Sequence, residues 1–272
     1  MLKTLLGDYP VTLALKRGEV GSTSVRFQFA DVEVPNSAFK RVVRDLEFDV
    51  AELAIVTFLL AKAHGKPLRL LPAVITARFQ HPFLVSTKRL RPEELEGKRV
   101  GQRSYSVTTA TWVRGILAQD YGLDLSSVQW VTFEEPHVAE FRDPPNVARA
   151  PAGKDMTAML LSGELDAAIV GEAPKDERIR ALIADPQAAA ERWREKNGAI
   201  QINHVVVLKN SVPPRVGDEV YQLLADSRKA AGSPALNPFG VEDNRRNLEV
   251  AVECCYRQRM IPRRFTVEEL LQ

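Results

Sequence analysis

A chain of 272 residues, 45% hydrophobic and 26% charged, suits one large or two modest globular domains. Its net charge of +2 is too balanced to argue for nucleic acid or an anionic membrane surface, and no apolar run of about 18 residues offers a membrane-spanning helix. The two cysteines, Cys254 and Cys255, are adjacent, a spacing suited neither to a mutual bridge nor to a metal. They therefore read as reduced structural thiols, and without a secretory signal at the start the expected compartment is the cytoplasm.

In chain order, residues 2–6 read as a strand that Asp8-Tyr9-Pro10 ends before a helix over 11–17. A strand over 25–30 and a helix over 36–44 follow. Residues 48–51 form a short strand leading into Glu52, and a helix over 55–63 is stopped by His64-Gly65-Lys66-Pro67. Residues 68–75 are a strand that is short or at an edge, because Pro72 lies inside it, and 83–86 is extended.

The most informative stretch is 95–117. Residues 98–102 predict a strand, with Gly101 permitting a sharp exit, and 103–106 a polar loop. From about Val107, apolar and small residues (Val107, Ala110, Val113, Ile116, Leu117) recur at helical spacing. The N-terminus of that helix offers free N–H groups and the positive end of its dipole. Ser104, Tyr105, Ser106, Thr108 and Thr109 surround it, with Arg103 and Arg114 nearby. Such a place suits a carboxylate or phosphate; the plainer reading is an ordinary connection whose hydroxyls cap the helix.

A strand over 128–133 comes next, then a polar, proline-rich loop or lid over 134–151 and a short helix over 155–161. Residues 165–170 are a strand, and 178–195 a charged, solvated helix interrupted by a turn at Pro186. The chain closes with a strand over 200–208, helices over 219–231 and 245–259, and a Thr266–Glu269 capping box. Strands alternate with helices throughout, which argues an α/β protein with mostly parallel sheets and sites at the carboxyl ends of strands.

Several motifs stand in a telling order: Phe48-Asp49-Val50-Ala51-Glu52; Arg78-Phe79-Gln80-His81; Gly97-Lys98-Arg99-Val100-Gly101; Thr109 with Trp112-Val113-Arg114-Gly115; Gly163-Glu164-Leu165-Asp166-Ala167; Ile202-Asn203-His204; and Phe239-Gly240-Val241-Glu242-Asp243-Asn244-Arg245. With these the chain resembles the 4,5-dihydroxyphthalate decarboxylase family. It departs from that pattern at Asn203, where the family has Met, and at Ala51, where it has Ser. The resemblance implies the two-lobed type II periplasmic-binding-protein fold, each lobe a mixed or mostly parallel sheet flanked by helices. One lobe would be residues 1–82 plus 205–272, the other 83–204, with His81 and His204 side by side at the hinge.

It also implies chemistry. Each carboxylate of a 4,5-dihydroxyphthalate is para to a hydroxyl, which pushes electron density onto the carbon to be protonated as CO2 leaves. The reaction then needs an acid/base group near neutrality, for which histidine is the natural choice, and cations or N–H donors for the carboxylates. His81 or His204 would protonate the ring carbon, with Glu52 tuning the histidine or taking the phenolic proton. Arg78, Arg103 and Arg114 would clamp carboxylates, and Ser104, Tyr105, Thr108 and Thr109 would donate hydrogen bonds. No cofactor is expected, because the phenol supplies the push, and no metal, although Glu52 with two histidines is a conceivable ligand set. The expected partner is a small aromatic carboxylate, and a homo-oligomer is left open. The competing expectations are a solute-binding protein for a small anion and a lyase or synthase acting on another small carboxylate. His64 and His137 read as surface loop residues.

Overall fold

A computed structural model describes residues 1–172 and 175–272. Its strands are β1 (Leu2–Leu5), β2 (Phe27–Phe29), β3 (Val50–Ala54), β4 (Leu68–Ala77), β5 (Leu84–Ser86), β6 (Arg99–Gln102), β7 (Gln129–Thr132), β8 (Val147–Arg149), β9 (Ala167–Ile169), β10 (Arg180–Ala181) and β11 (Ile202–Lys209). Its helices are α1 (Pro10–Lys16), α2 (Phe39–Arg44), α3 (Ile55–Ala63), α4 (Thr108–Asp120), α5 (Met156–Leu161), α6 (Pro186–Asn197), α7 (Pro214–Ala230), α8 (Val241–Arg257) and α9 (Val267–Leu270). The α/β class is as expected, with two mixed sheets flanked by helices. No helix among the described residues is long and apolar enough to cross a membrane.

The chain divides into two units. The first comprises Met1–Arg78, His137–Ala139 and Ile200–Gln272, the second Phe79–Pro136 and Glu140–Ala199. These borders fall a few residues ahead of 82 and 204, so His81 belongs to the second unit and His204 to the first.

The first unit holds the sheet β2-β1-β3-β11-β4, in which β1 runs parallel to β2 and β3, and β11 antiparallel to β3 and β4. Every residue of β3 is buried, as befits a strand covered on both faces. Leu6, Val11, Val50, Ile75, Val206, Leu208 and Leu224 build the core around it. Pro72 does lie in an edge strand, where its missing N–H breaks no interior ladder, but β4 is ten residues long rather than short. Both cysteines are buried in α8 and form no disulfide.

The second unit holds the sheet β10-β5-β9-β6-β7-β8, in which β6 pairs in parallel with β7 and β9, and β7 with β8. Two expectations change here. Gly101 lies inside β6 rather than at an exit. A Cβ there would stand 2.6 Å from Leu165 Cδ1 and 3.1 Å from Met156 Cγ, so the glycine lets neighbouring side chains close onto the strand. Pro186 starts α6 instead of interrupting it. Asp185 Oδ1 caps the helix by accepting from Ala188 N at 3.0 Å, and the fixed φ of proline suits the first helical turn.

Candidate active site

Glu52 is the hub of a hydrogen-bonded group in the first unit. It was expected just after a short strand, but it sits third in β3 and is fully buried. The antiparallel register sets Val206 opposite Glu52 and His204 opposite Ala54, so Glu52 and His204 are diagonal neighbours on one face of the sheet. Glu52 Oε1 lies 2.5 Å from His204 Nδ1 and accepts from the Tyr9 hydroxyl at 2.8 Å, while Oε2 accepts from Gly7 N at 2.9 Å. A buried carboxylate is tolerable only with such donors around it. Burial and the charge of Glu52 push the Tyr9 phenol far above its ordinary pKa, so it remains a protonated donor.

The turn that delivers Tyr9 is built locally. Thr12 Oγ1 accepts from Tyr9 N at 3.0 Å and donates to Gly7 O at 2.6 Å. A Cβ on Gly7 would stand 2.6 Å from the Tyr9 ring, so glycine is what lets the ring fold back over the chain. Edge-on contacts complete the surround: Phe39 meets the His204 ring at 5.2 Å and the His137 ring at 5.7 Å. His137 is therefore not a surface loop residue. It is buried, its Nδ1 lies 2.9 Å from Thr57 Oγ1, and its carbonyl accepts from Arg44 Nε at 2.9 Å. Sequence reasoning missed Gly7, Tyr9, Phe39 and His137. The available signal was the Gly7-Asp8-Tyr9-Pro10 turn, which the parallel register Leu5↔Ala51 carries alongside Glu52.

In the second unit, β6, the polar loop and α4 form as expected. Arg114, expected as a carboxylate clamp, is fully buried. Its guanidinium donates to Gln102 Oε1 at 2.7 Å, Tyr105 O at 2.8 Å and Thr111 Oγ1 at 3.3 Å, and lies 3.7 Å from the centre of the Tyr105 ring. That cation ties strand, loop and helix together. Burial raises the Asp143 carboxyl, with Arg149 and Arg114 pulling the other way. Arg103 is half-exposed with a loose ion pair to Glu134 at 3.8 Å, and its carbonyl anchors Phe133 N and Glu134 N. Ser104, Tyr105 and Thr108 are buried, Thr109 half-buried, and the Ser104 and Ser106 hydroxyls are 3.4 Å apart. Arg78, half-buried, closes the first stretch of the first unit, where its N–H donates to Gln201 O at 3.2 Å.

His81 lies elsewhere in the second unit. It helps line a cavity of about 310 Å³ with Gln119, Asp120 and Tyr121, at the C-terminal end of α4, and with Arg192, Trp193 and Lys196 of α6. Ser104–Thr109 stand at the opposite end of α4, which at 13 residues is roughly 20 Å long. His81 is 1% exposed, and neither ring nitrogen meets a hydrogen-bond partner among the described residues. Burial, opposed by Asp120 and reinforced by Arg192, lowers its pKa to about 4. Among the described residues, no group of three or more His, Cys, Asp or Glu side chains is placed to share a metal ion.

No protein-family model matches the chain. It is similar to the 4,5-dihydroxyphthalate decarboxylase of Comamonas testosteroni, with 28% identity over 227 residues, 78% of this chain and 68% of that protein. It is also similar to the 4,5-dihydroxyphthalate decarboxylase of Pseudomonas putida, with 32% identity over 208 residues, 71% of this chain and 80% of that protein. Among solved structures, the periplasmic aliphatic sulphonate-binding protein of Escherichia coli gives a TM-score of 0.60 over 99% of this chain and 96% of that one, at 13% identity. The alkanesulfonate-binding protein of Xanthomonas axonopodis pv. citri gives 0.55 over 100% and 97%, at 15% identity. These likenesses establish the periplasmic-binding-protein fold and, at such identities, nothing about ligand. The sequence relationship goes further: by its match to the Pseudomonas protein, this chain belongs to the 4,5-dihydroxyphthalate decarboxylase family, whose named activity is that of a carboxy-lyase.

Proposed function

We propose that this protein decarboxylates a dihydroxylated aromatic carboxylate of the phthalate type without a cofactor, and that His204, held by Glu52, is its proton donor. The observation that carries the reading is the 2.5 Å contact between Glu52 Oε1 and His204 Nδ1 in a chain of this family. A carboxylate on Nδ1 fixes that nitrogen as N–H, supplies the countercharge for an imidazolium, and directs Nε2 to a substrate. His204 then delivers a proton from Nε2 to the ring carbon bearing the carboxylate. The para hydroxyl feeds its lone pair into that carbon, the C–C bond breaks, its electron pair returns to the ring, and CO2 departs. The imidazole takes a proton from solvent for the next turnover, so one proton is consumed for each CO2 released.

Three observations divide the roles. Glu52 is enclosed and its oxygens are engaged by Gly7, Tyr9 and His204, so it is a positioning residue and not the base for the phenol. His81, with a pKa of about 4, is protonated in about one molecule in a thousand at pH 7, which favours His204 as the acid. Arg114 is engaged in holding its own loop, which leaves Arg103 as the second unit's candidate carboxylate cation, with Ser104, Tyr105, Thr108 and Thr109 as candidate donors. Arg78 remains a candidate from the first unit.

The test is CO2 release from 4,5-dihydroxyphthalate by the purified protein, with His204→Ala and His81→Ala beside it. Loss of about a hundredfold or more in His204→Ala alone is the expected result, the scale of general acid–base help. Tight binding without turnover in the unmodified protein would replace this reading with a solute-binding one.

A further inference from the structure

We propose that His137 is a positioning residue for the reaction proposed above: by holding the Phe39 ring, it fixes the plane of the His204 imidazole. The inference rests on the reading of His204 as the proton donor.

Glu52 alone does not fix that plane. It meets His204 at one point, the 2.5 Å contact between Oε1 and Nδ1, and a hydrogen bond at one nitrogen leaves the ring free to tilt about the contact. Such a tilt displaces Nε2, the atom that delivers the proton. A wall against the ring is the remaining requirement, and Phe39 supplies it: the two rings stand 5.2 Å apart and nearly perpendicular, at 80°. The His204 side chain keeps 19% of its surface exposed, so these contacts leave part of the imidazole open.

Phe39 is held in turn by His137, whose ring stands 5.7 Å away at 87°. His137 is fixed at both ring and backbone. Its Nδ1 lies 2.9 Å from the hydroxyl of Thr57, the third residue of α3, and its carbonyl accepts at 2.9 Å from Nε of Arg44, the last residue of α2. Phe39 is the first residue of α2, so one helix grips residue 137 from both of its ends. An aliphatic side chain could fill the same space, but it would lack a directional bond to hold it in one rotamer.

The path of the chain points the same way. His137–Ala139 belong to the first unit, although Pro136 and Glu140 on either side belong to the second. A connection within the second unit needs no such excursion. Its effect is to bring one histidine onto α2 and α3, the helices that precede and follow β3 and its Glu52.

Two readouts on the full-length protein test this: CO2 release from 4,5-dihydroxyphthalate, and the NMR resonances of the His204 imidazole, assigned by their loss in His204→Ala. His137→Ala should lower kcat about tenfold or more with KM within about twofold of the parent, the pattern of a misaligned donor. It should also move the His204 resonances, carried by the displaced Phe39 ring. Phe39→Leu, which leaves residue 137 in place, should lower kcat in the same way. His137→Phe, which restores a ring edge against Phe39, should return most of the lost kcat. Unmoved His204 resonances in a folded His137→Ala would overturn the proposal. Unchanged kcat would do so too, as would a loss confined to KM. If His137→Ala does not fold, a folded Phe39→Leu with parental kcat overturns it instead. A parent without turnover would refute the reaction, and the resonances alone would then decide whether His137 sets the His204 ring.

Discussion

Replacing Glu52 with Gln keeps the shape of the side chain and removes its charge. The carboxylate accepts three hydrogen bonds, from His204 Nδ1 at 2.5 Å, Tyr9 at 2.8 Å and Gly7 N at 2.9 Å. Hydrogen bonds to a charged group contribute about 1.5–3 kcal/mol against about 0.5–1.5 kcal/mol for neutral pairs, so neutralising the acceptor loses about 1 kcal/mol at each. The amide nitrogen must also face one of the three donors, which strands a buried N–H or O–H. Removing a buried charge returns part of this through desolvation, so the net loss is about 2–4 kcal/mol. Turnover should fall by about a hundredfold or more, because Gln no longer holds Nδ1–H with a countercharge. Urea unfolding at pH 7 reads the first quantity and CO2 release the second. Tyr9→Phe, which removes one donor and no charge, should show a smaller loss in both. An unchanged unfolding midpoint with turnover within about threefold of the parent would refute the idea that an ionised Glu52 organises this group.

The two arginines of the second unit should behave oppositely. Arg114→Ala strands the Gln102 and Tyr105 acceptors in the interior and should destabilise by about 3–5 kcal/mol, whereas Arg103→Ala, with only a loose surface pair, should raise KM and barely move the unfolding curve. His81 titrates near pH 4 in the folded chain and near 6.5 unfolded, so between those values the unfolded chain binds more protons and stability falls as the pH drops. The loss amounts to roughly 3 kcal/mol at pH 4. Urea midpoints at pH 7 and pH 4.5 should differ less in His81→Leu than in the parent. Gly7→Ala should displace the Tyr9 ring, since its Cβ would lie 2.6 Å away, and lower turnover with the fold retained by circular dichroism.

Local patterns were legible where one element's own residues decide its structure. The period of α4 and the Thr266–Glu269 capping box can be read from neighbours alone. Glu52 could not be placed this way. Its strand is buried on both faces, so alternation is absent. His137 was misread because a polar, proline-rich neighbourhood says nothing about one side chain turning in to meet Phe39 and Thr57. The burial of Arg114 was not legible because it depends on acceptors supplied by the strand and loop before it. What the sequence left unread for His81 is its place within the second unit, at the end of α4 away from the hydroxyl-rich loop.

The position of β11 has a consequence for how the chain is made. This strand lies between β3 and β4 in the first unit's sheet, but it is contributed by residues 202–209, after the whole of the second unit. During synthesis, β1 to β4 leave the ribosome without the strand that joins β3 to β4, and Glu52 is without His204. The second unit, drawn from 79–199 apart from a three-residue segment, is complete earlier. Its folding should therefore come first, with the first sheet closing only after a long loop has been bridged, a step slowed by the entropy of that closure. Until then β3 and β4 present open edges, and this interval is when the nascent chain is most exposed to aggregation.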